Sequence, residues 1–124
     1  MSVFMVGLGG FFGAITRYSF GTWIYKVLGK PEWPYGTLVI NVTGCLLIGF
    51  ILGLIETRDR VSPDVRLLLV TGFLGGYTTF SAFGFETWTL ARDGNTLGAV
   101  ANIALQVGLG LGAVWGGHAL AQKI

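Results

Sequence analysis

With 11% of its 124 positions charged and 52% hydrophobic, the chain lacks the charge to cover a water-facing surface, so its composition points to lipid. A net charge of +2 without any basic run gives no footing for nucleic acid. Cys45 is the only cysteine, which excludes an intrachain disulfide and reads as a small buried hydrophobe.

The charges gather at 26–32, 56–66 and 92–93 and leave long silent stretches between them. Each stretch has about the 20 residues that a helix needs to cross a hydrocarbon core. The pattern predicts one all-α domain over 1–124, with crossings near 3–25, 36–56, 66–91 and 95–121 and both termini on one side. The N-terminus lacks the basic region of a cleaved signal, so the first stretch is expected to remain as a crossing.

In the first crossing Gly9, Gly13, Arg17 and Gly21 recur at every fourth position, on one helix face. Three glycines clear space around one arginine, whose charge must face protein or water, or snorkel to an interface. The second crossing, "GTLVINVTGCLLIGFILG", has Asn41 as its one strongly polar side chain. Its amide either bonds a neighbouring helix or offers N–H donors to an anion. Gly49 and Gly53 permit close helix approach.

The third crossing contains "GFLGGYTTFSAFGF" at 72–85. Gly75-Gly76 weaken a helix, and Thr78, Thr79 and Ser81 offer hydroxyls in place of lost backbone bonds. A break over 75–79 is expected; at this depth it must be buried in protein or line a wet cavity. It would present carbonyl oxygens suited to a cation and N–H groups suited to an anion. Phe80 and Phe83 follow on one face, which continues to Glu86 and Thr87. In the fourth crossing Gly108, Gly112 and Gly116 form a small-residue face, Asn102 and Gln106 lie one turn apart on another, and His118 stands near the end.

The side holding the termini carries Arg58, Arg60, Arg66 and Lys123, the opposite side Lys26, Lys30 and Arg92. Four charges against three dictate no single orientation, which suits a chain that pairs with an inverted copy of itself. There is no Walker motif, acid dyad, metal cluster or nucleophile elbow, so an enzyme is not expected.

Together "GGFFGAITRY" at 9–18, "GTLVINVTG" at 36–44 and "GFLGGYTTFSAF" at 72–83 resemble the CrcB/Fluc family of fluoride channels. The resemblance implies a dual-topology antiparallel homodimer in the plasma (inner) membrane of a prokaryote, with two fluoride pathways along the subunit interface. It also implies a central structural sodium ion held by the backbone carbonyls of Gly75 and Thr78 from both subunits. By the same resemblance Phe80 and Phe83 are pore phenylalanines and Asn41 the pore asparagine, while Arg17 and Glu86 fall on motif positions. Thr79 and Ser81 can add hydroxyl donors, and phenyl edges carry the positive end of the ring quadrupole.

One departure stands out. Where the family lines the fourth helix with a polar ladder, this chain reads Asn102, Gln106, Gly110 and Val114. A small multidrug exporter of similar length would need a carboxylate in the first crossing, yet no acid precedes Glu32. A non-transporting assembly subunit leaves the break and the phenylalanine pair unexplained.

Overall fold

The computed structural model describes residues 1–58 and 61–124; Arg60 and the side chain of Arg58, both counted above as loop charges, lie outside that description. Four spans are long and apolar enough to cross a membrane: Ser2–Val27, Tyr35–Thr57, Pro63–Arg92 and Thr96–Ala121. The first helix is Ser2–Val27, the second Tyr35–Arg58 and the fourth Thr96–Ala121.

Short turns close the first and third spans. Gly29 (φ +69) follows the first helix and lets the Lys30 N–H reach back to the Tyr25 carbonyl at 2.8 Å. Gly94 (φ +86) follows the third span, where the Asn95 N–H reaches the Leu90 carbonyl, again at 2.8 Å. Both are left-handed helix ends, a conformation glycine adopts without a Cβ penalty. Asn95 then caps the fourth helix by accepting from the Gly98 N–H at 2.8 Å.

The third span is the irregular one. After a helical turn at Pro63–Arg66 it runs as a π-helix over Leu67–Leu74, returns to α geometry for Gly75–Tyr77, and breaks. Thr78 (ψ 161) and Thr79 (φ −151, ψ 113) are extended, and helix resumes at Phe80–Arg92. The expected mid-span break is present, but its non-helical backbone is narrower than 75–79. Gly75 and Gly76 stay helical; the small size of Gly76 serves contact, since a Cβ there would lie 2.6 Å from the Gly10 carbonyl oxygen.

Glycines set the packing, because helices in lipid associate through close backbone approach and not through a hydrophobic drive. A Cβ on Gly9 or Gly13 would run into the third-span backbone at Leu68 and Phe73. The second and fourth helices pack likewise, Gly49 against the Val114 carbonyl and Gly117 against the Leu46 carbonyl. On the fourth helix the small-residue face of Gly108, Gly112 and Gly116 is not the one that meets the second helix. Gly108, Gly112 and Gly116 have no atom within 4 Å of where a side chain would begin. The contact stripe is Gly110, Val114, Gly117 and Ala121 instead. Its 4-3-4 spacing follows the 3.6-residue helical period, whereas a strict every-fourth row drifts off the contact.

A small core of Ile40, Leu74 and Tyr77 lies where the second helix meets the third span, with Phe20, Ile48, Ile51 and Phe73 packed on it. Thr43 Oγ1 donates to the Val39 carbonyl at 2.7 Å, which leaves the Tyr77 hydroxyl to donate to Thr43 Oγ1 at 2.8 Å. At the far end of the second helix Glu56 Oε2 meets His118 Nε2 at 2.8 Å. That contact ties the second helix to the fourth on an exposed surface.

Candidate functional site: the helix break and its cavity

The break is held by side chains from two other helices. Asn41 Oδ1 accepts from the Thr79 N–H at 2.9 Å, and Asn41 Nδ2 donates to the Thr79 carbonyl at 3.1 Å. The amide therefore clasps both polar groups of one extended residue, as a neighbouring strand would. In an uninterrupted helix the Thr79 N–H would serve the Gly75 carbonyl, so the clasp releases that oxygen from its usual donor. Thr79 Oγ1 accepts from the Ala82 N–H at 3.2 Å and caps the helix that restarts at Phe80.

From the first helix Arg17 Nη1 donates to the Thr78 carbonyl at 3.0 Å. Gly13, one turn before it, draws the two backbones close enough for this reach. Arg17 is only partly buried and lines a cavity of about 450 Å³ with Tyr18, Thr22, Tyr25 and Thr37. Arg17→Met should therefore lower thermal stability by about 2 kcal/mol, the range for a hydrogen bond to a charged group. Arg17→Lys should recover part of it, and unfolding in detergent measures both.

On the other side of the break lies a cavity of about 400 Å³. Asn41, Thr79, Phe80, Phe83 and Gln106 line it, together with Gly75 and Thr78. The Phe80 and Phe83 ring centroids are 5.4 Å apart with planes inclined at 58°. Phe80 is 81% exposed in the single chain, and Gly75 is exposed too. Gln106 Oε1 accepts from Asn41 Nδ2 at 3.1 Å, while Gln106 Nε2 is buried with no hydrogen-bond partner among the described residues. Glu86 Oε2, Thr89 Oγ1 and Asn102 Oδ1 are likewise buried without a partner among the described residues.

Three expected site residues lie outside this cavity. Ser81 Oγ sits 3.3 Å from Thr79 Oγ1 on an exposed face. Glu86 Oε1 accepts from the Thr37 hydroxyl at 2.6 Å, and the residue borders a separate cavity of about 530 Å³ with Glu32 and Asp93. Asn102 is 0% exposed and donates to Thr87 Oγ1 at 2.9 Å; Thr87 in turn donates to the Phe83 carbonyl at 2.7 Å. Asn102 thus braces the turn that carries Phe83. Thr37 was not singled out from the sequence, although its place four residues before Asn41 on one helix face was a usable signal.

A family model described as "CrcB-like protein, Camphor Resistance (CrcB)" matches residues 4–118. The chain is 45% identical over 124 residues to a protein of Acidobacterium capsulatum called "Fluoride-specific ion channel FluC", covering 100% of this chain and 98% of that one. A protein of the same name from Chloroflexus aurantiacus is 46% identical over 125 residues, covering 94% of this chain and 98% of its own length. Another from Rhizobium meliloti is 45% identical over 122 residues, covering 98% and 97%.

Proposed function

The chain belongs to the CrcB family, and from that premise we infer that it is a fluoride-specific ion channel, a multi-pass membrane protein and not an enzyme. The observation that carries this reading beyond family membership is the cavity beside the break. It combines amide and backbone groups at Asn41, Thr79 and Gln106 with the two phenyl rings of Phe80 and Phe83. Fluoride is small and strongly hydrated, so a selective path must replace its water with N–H and O–H donors. Ring edges attract an anion weakly, and weak successive sites let it leave as well as enter.

The functional unit in this reading is an antiparallel pair of identical chains in a prokaryotic plasma membrane, with two pathways. Phe80 and Gly75 are both exposed in the single chain, and a partner would close the cavity they border. Glu86, Ser81 and Asn102 then belong to the approaches and supports of the pathway. The residues at the break also fit a structural sodium ion. The Gly75 carbonyl has lost the donor a continuous helix would give it, and a Cβ there would have only the Val70 oxygen near it, at 4.0 Å. Gly75 and Thr78 of both chains would hold the ion through hard carbonyl oxygens, the ligands such a cation takes. Bound there, sodium would supply positive charge that fastens the two breaks together. The same Thr78 carbonyl oxygen accepts from Arg17 at 3.0 Å, so it would share its second lone pair with the ion.

The biological sense is passive release. Hydrogen fluoride enters from an acidic exterior and ionises in a more neutral cytoplasm, and an inside-negative potential drives the anion out. Purified chain in liposomes should release fluoride rapidly and chloride negligibly, as read by ion-selective electrodes. Equal release of both anions, or of neither from folded protein, would overturn the reading.

A further inference from the structure

The third span holds one residue more than a continuous α-helix would place between its start and the break, and we propose that this π-helical run is the element that phases the break. At the start of the span the Arg66 N–H reaches the Ser62 carbonyl at 3.1 Å, four residues back. Just before the break the Thr78 N–H reaches the Leu74 carbonyl at 2.9 Å, again four residues back. Between them lies Leu67–Leu74, and the Gly75 N–H that ends it goes to the Val70 carbonyl, one residue past its α partner Thr71. Geometry of this kind is rare, and where it interrupts an α-helix it is frequent at functional sites.

The use of the extra residue is visible in the packing against the first helix. An α-helix turns about 100° per residue, so residues four apart drift about 40° around its axis at each step. Two such steps give about 80°, enough to carry a row off its neighbour. The third span nevertheless keeps Leu68, Gly72 and Gly76 on the first helix. A Cβ at Gly9 would run into the Leu68 carbonyl oxygen; one at Gly72 would lie 2.8 Å from the Val6 oxygen, and one at Gly76 2.6 Å from the Gly10 oxygen. Closing turns one residue later winds the chain more slowly and cancels the drift. The fourth helix, α throughout, meets its neighbour with 4-3-4 spacing instead.

The phase fixed in this way decides where the break points. Gly75 is exposed beside the packed Gly76, the Thr78 carbonyl comes within 3.0 Å of Arg17 Nη1, and the Thr79 peptide faces the Asn41 amide. Winding the same residues as α would turn all of these by about 100° and slide them about 1.5 Å along the axis. Arg17 and Asn41 would then meet the wrong peptides. Removing one residue from the run has the opposite effect. The row spacing becomes 3-4, which an α-helix holds, and Gly72 to Thr79 stay on their partners.

Single-residue deletions test this. Deleting Leu69 or Val70 should give folded protein with fluoride efflux within about threefold of wild type, a change of under about 1 kcal/mol at the barrier. Deleting Leu46 or Leu47 from the second helix, which is α throughout and has no bulge to absorb the loss, should abolish folded protein. In the Leu69 deletion, Arg17→Met should lower the unfolding temperature as much as it does in the full chain, because the Thr78 carbonyl still faces it. Deletions in the run that are as damaging as those in the second helix overturn the proposal. So does a folded deletion variant in which Arg17→Met has no effect. In the ¹³C,¹⁵N-labelled wild-type chain, solid-state NMR should place the Gly75 amide against the Val70 carbonyl; contact with the Thr71 carbonyl in its place overturns it too. Folding, the Arg17 response and the NMR contact do not depend on what the chain conducts, so a wild type that moves no fluoride strikes the channel reading alone.

Discussion

Gly13→Ala is expected to abolish the folded protein, whereas Gly7→Ala should stabilise it slightly. The two substitutions add the same methyl group to the same helix. By helix propensity alone each should gain up to about 1 kcal/mol, since alanine is the best helix former and glycine among the worst. At Gly7 nothing lies within 4 Å of the new carbon, so the gain stands. At Gly13 the new carbon would run into the Phe73 carbonyl oxygen and lie 2.9 Å from the Tyr77 nitrogen. These are backbone atoms of the third span and cannot turn aside as a flexible side chain can. Overpacking of this kind costs about 1–3 kcal/mol when side chains can adjust, and more when two helices must separate. Separation here would also draw Arg17 away from the Thr78 carbonyl, so the damage reaches the break. Gly117→Ala, which meets the Leu46 carbonyl and sits 2.9 Å from the Phe50 nitrogen, should repeat the result between the second and fourth helices. Monodisperse elution and thermal unfolding in detergent test the set; a Gly13→Ala protein as stable as Gly7→Ala would mean the backbones are not that close.

The contrast shows which information a sequence of this kind carries. Four crossings were legible because lipid imposes a length and a composition on any helix that enters it. The break in the third span was legible because glycines and hydroxyls are poor material for a continuous helix. Its extent was not, since Gly75 and Gly76 are helical and the extended residues are the threonines after them. The π-helical run at Leu67–Leu74 had no signal at all, since its leucines and valine suit α geometry equally. Glycine rows identified close contacts within the chain at Gly9, Gly13, Gly49 and Gly53, whereas Gly108, Gly112 and Gly116 meet nothing within it. A row of small residues says that a backbone can be approached. Which neighbour approaches it depends on the other helices.

The site divides in the same way. Residue types announced a polar path beside two phenyl rings, and the structure brings Asn41, Thr79, Phe80, Phe83 and Gln106 to one cavity. Who donates to whom was not written in the types. Asn41 and Gln106 carry the same amide, yet one is saturated and the other half-used, because only Asn41 lies opposite an extended peptide. Arg17 likewise is a charge in lipid until its target is seen to be the Thr78 carbonyl, a group that the break itself exposes. The helix interruption thus creates the unpaired backbone groups, and side chains from the first and second helices meet them.

Replacing Phe80 with isoleucine should lower fluoride efflux about fivefold while leaving the fold intact, and the Phe80→Ile/Phe83→Ile pair should lower it about 30-fold. Isoleucine keeps a bulky apolar group and discards the ring quadrupole, so the substitution tests the field and not the plug. The two rings pack against each other with centroids 5.4 Å apart and planes tilted at 58°, and both line the cavity. In the proposed pathway their polarised C–H edges would act as weak donors, each contributing about 1 kcal/mol, the scale of aromatic contacts generally. One such contribution lost at a barrier is worth about a factor of five in rate, and two about thirtyfold. Stability should barely respond for Phe80, which is 81% exposed in the single chain and supports little of its core. The bracing chain from Asn102 through Thr87 to the Phe83 carbonyl is backbone-directed and survives both substitutions. Efflux of fluoride and chloride from the same liposomes, with unfolding temperature as the control, separates the outcomes. Unchanged fluoride rates in the double variant would reduce the rings to packing and leave the polar groups at the break to carry selectivity.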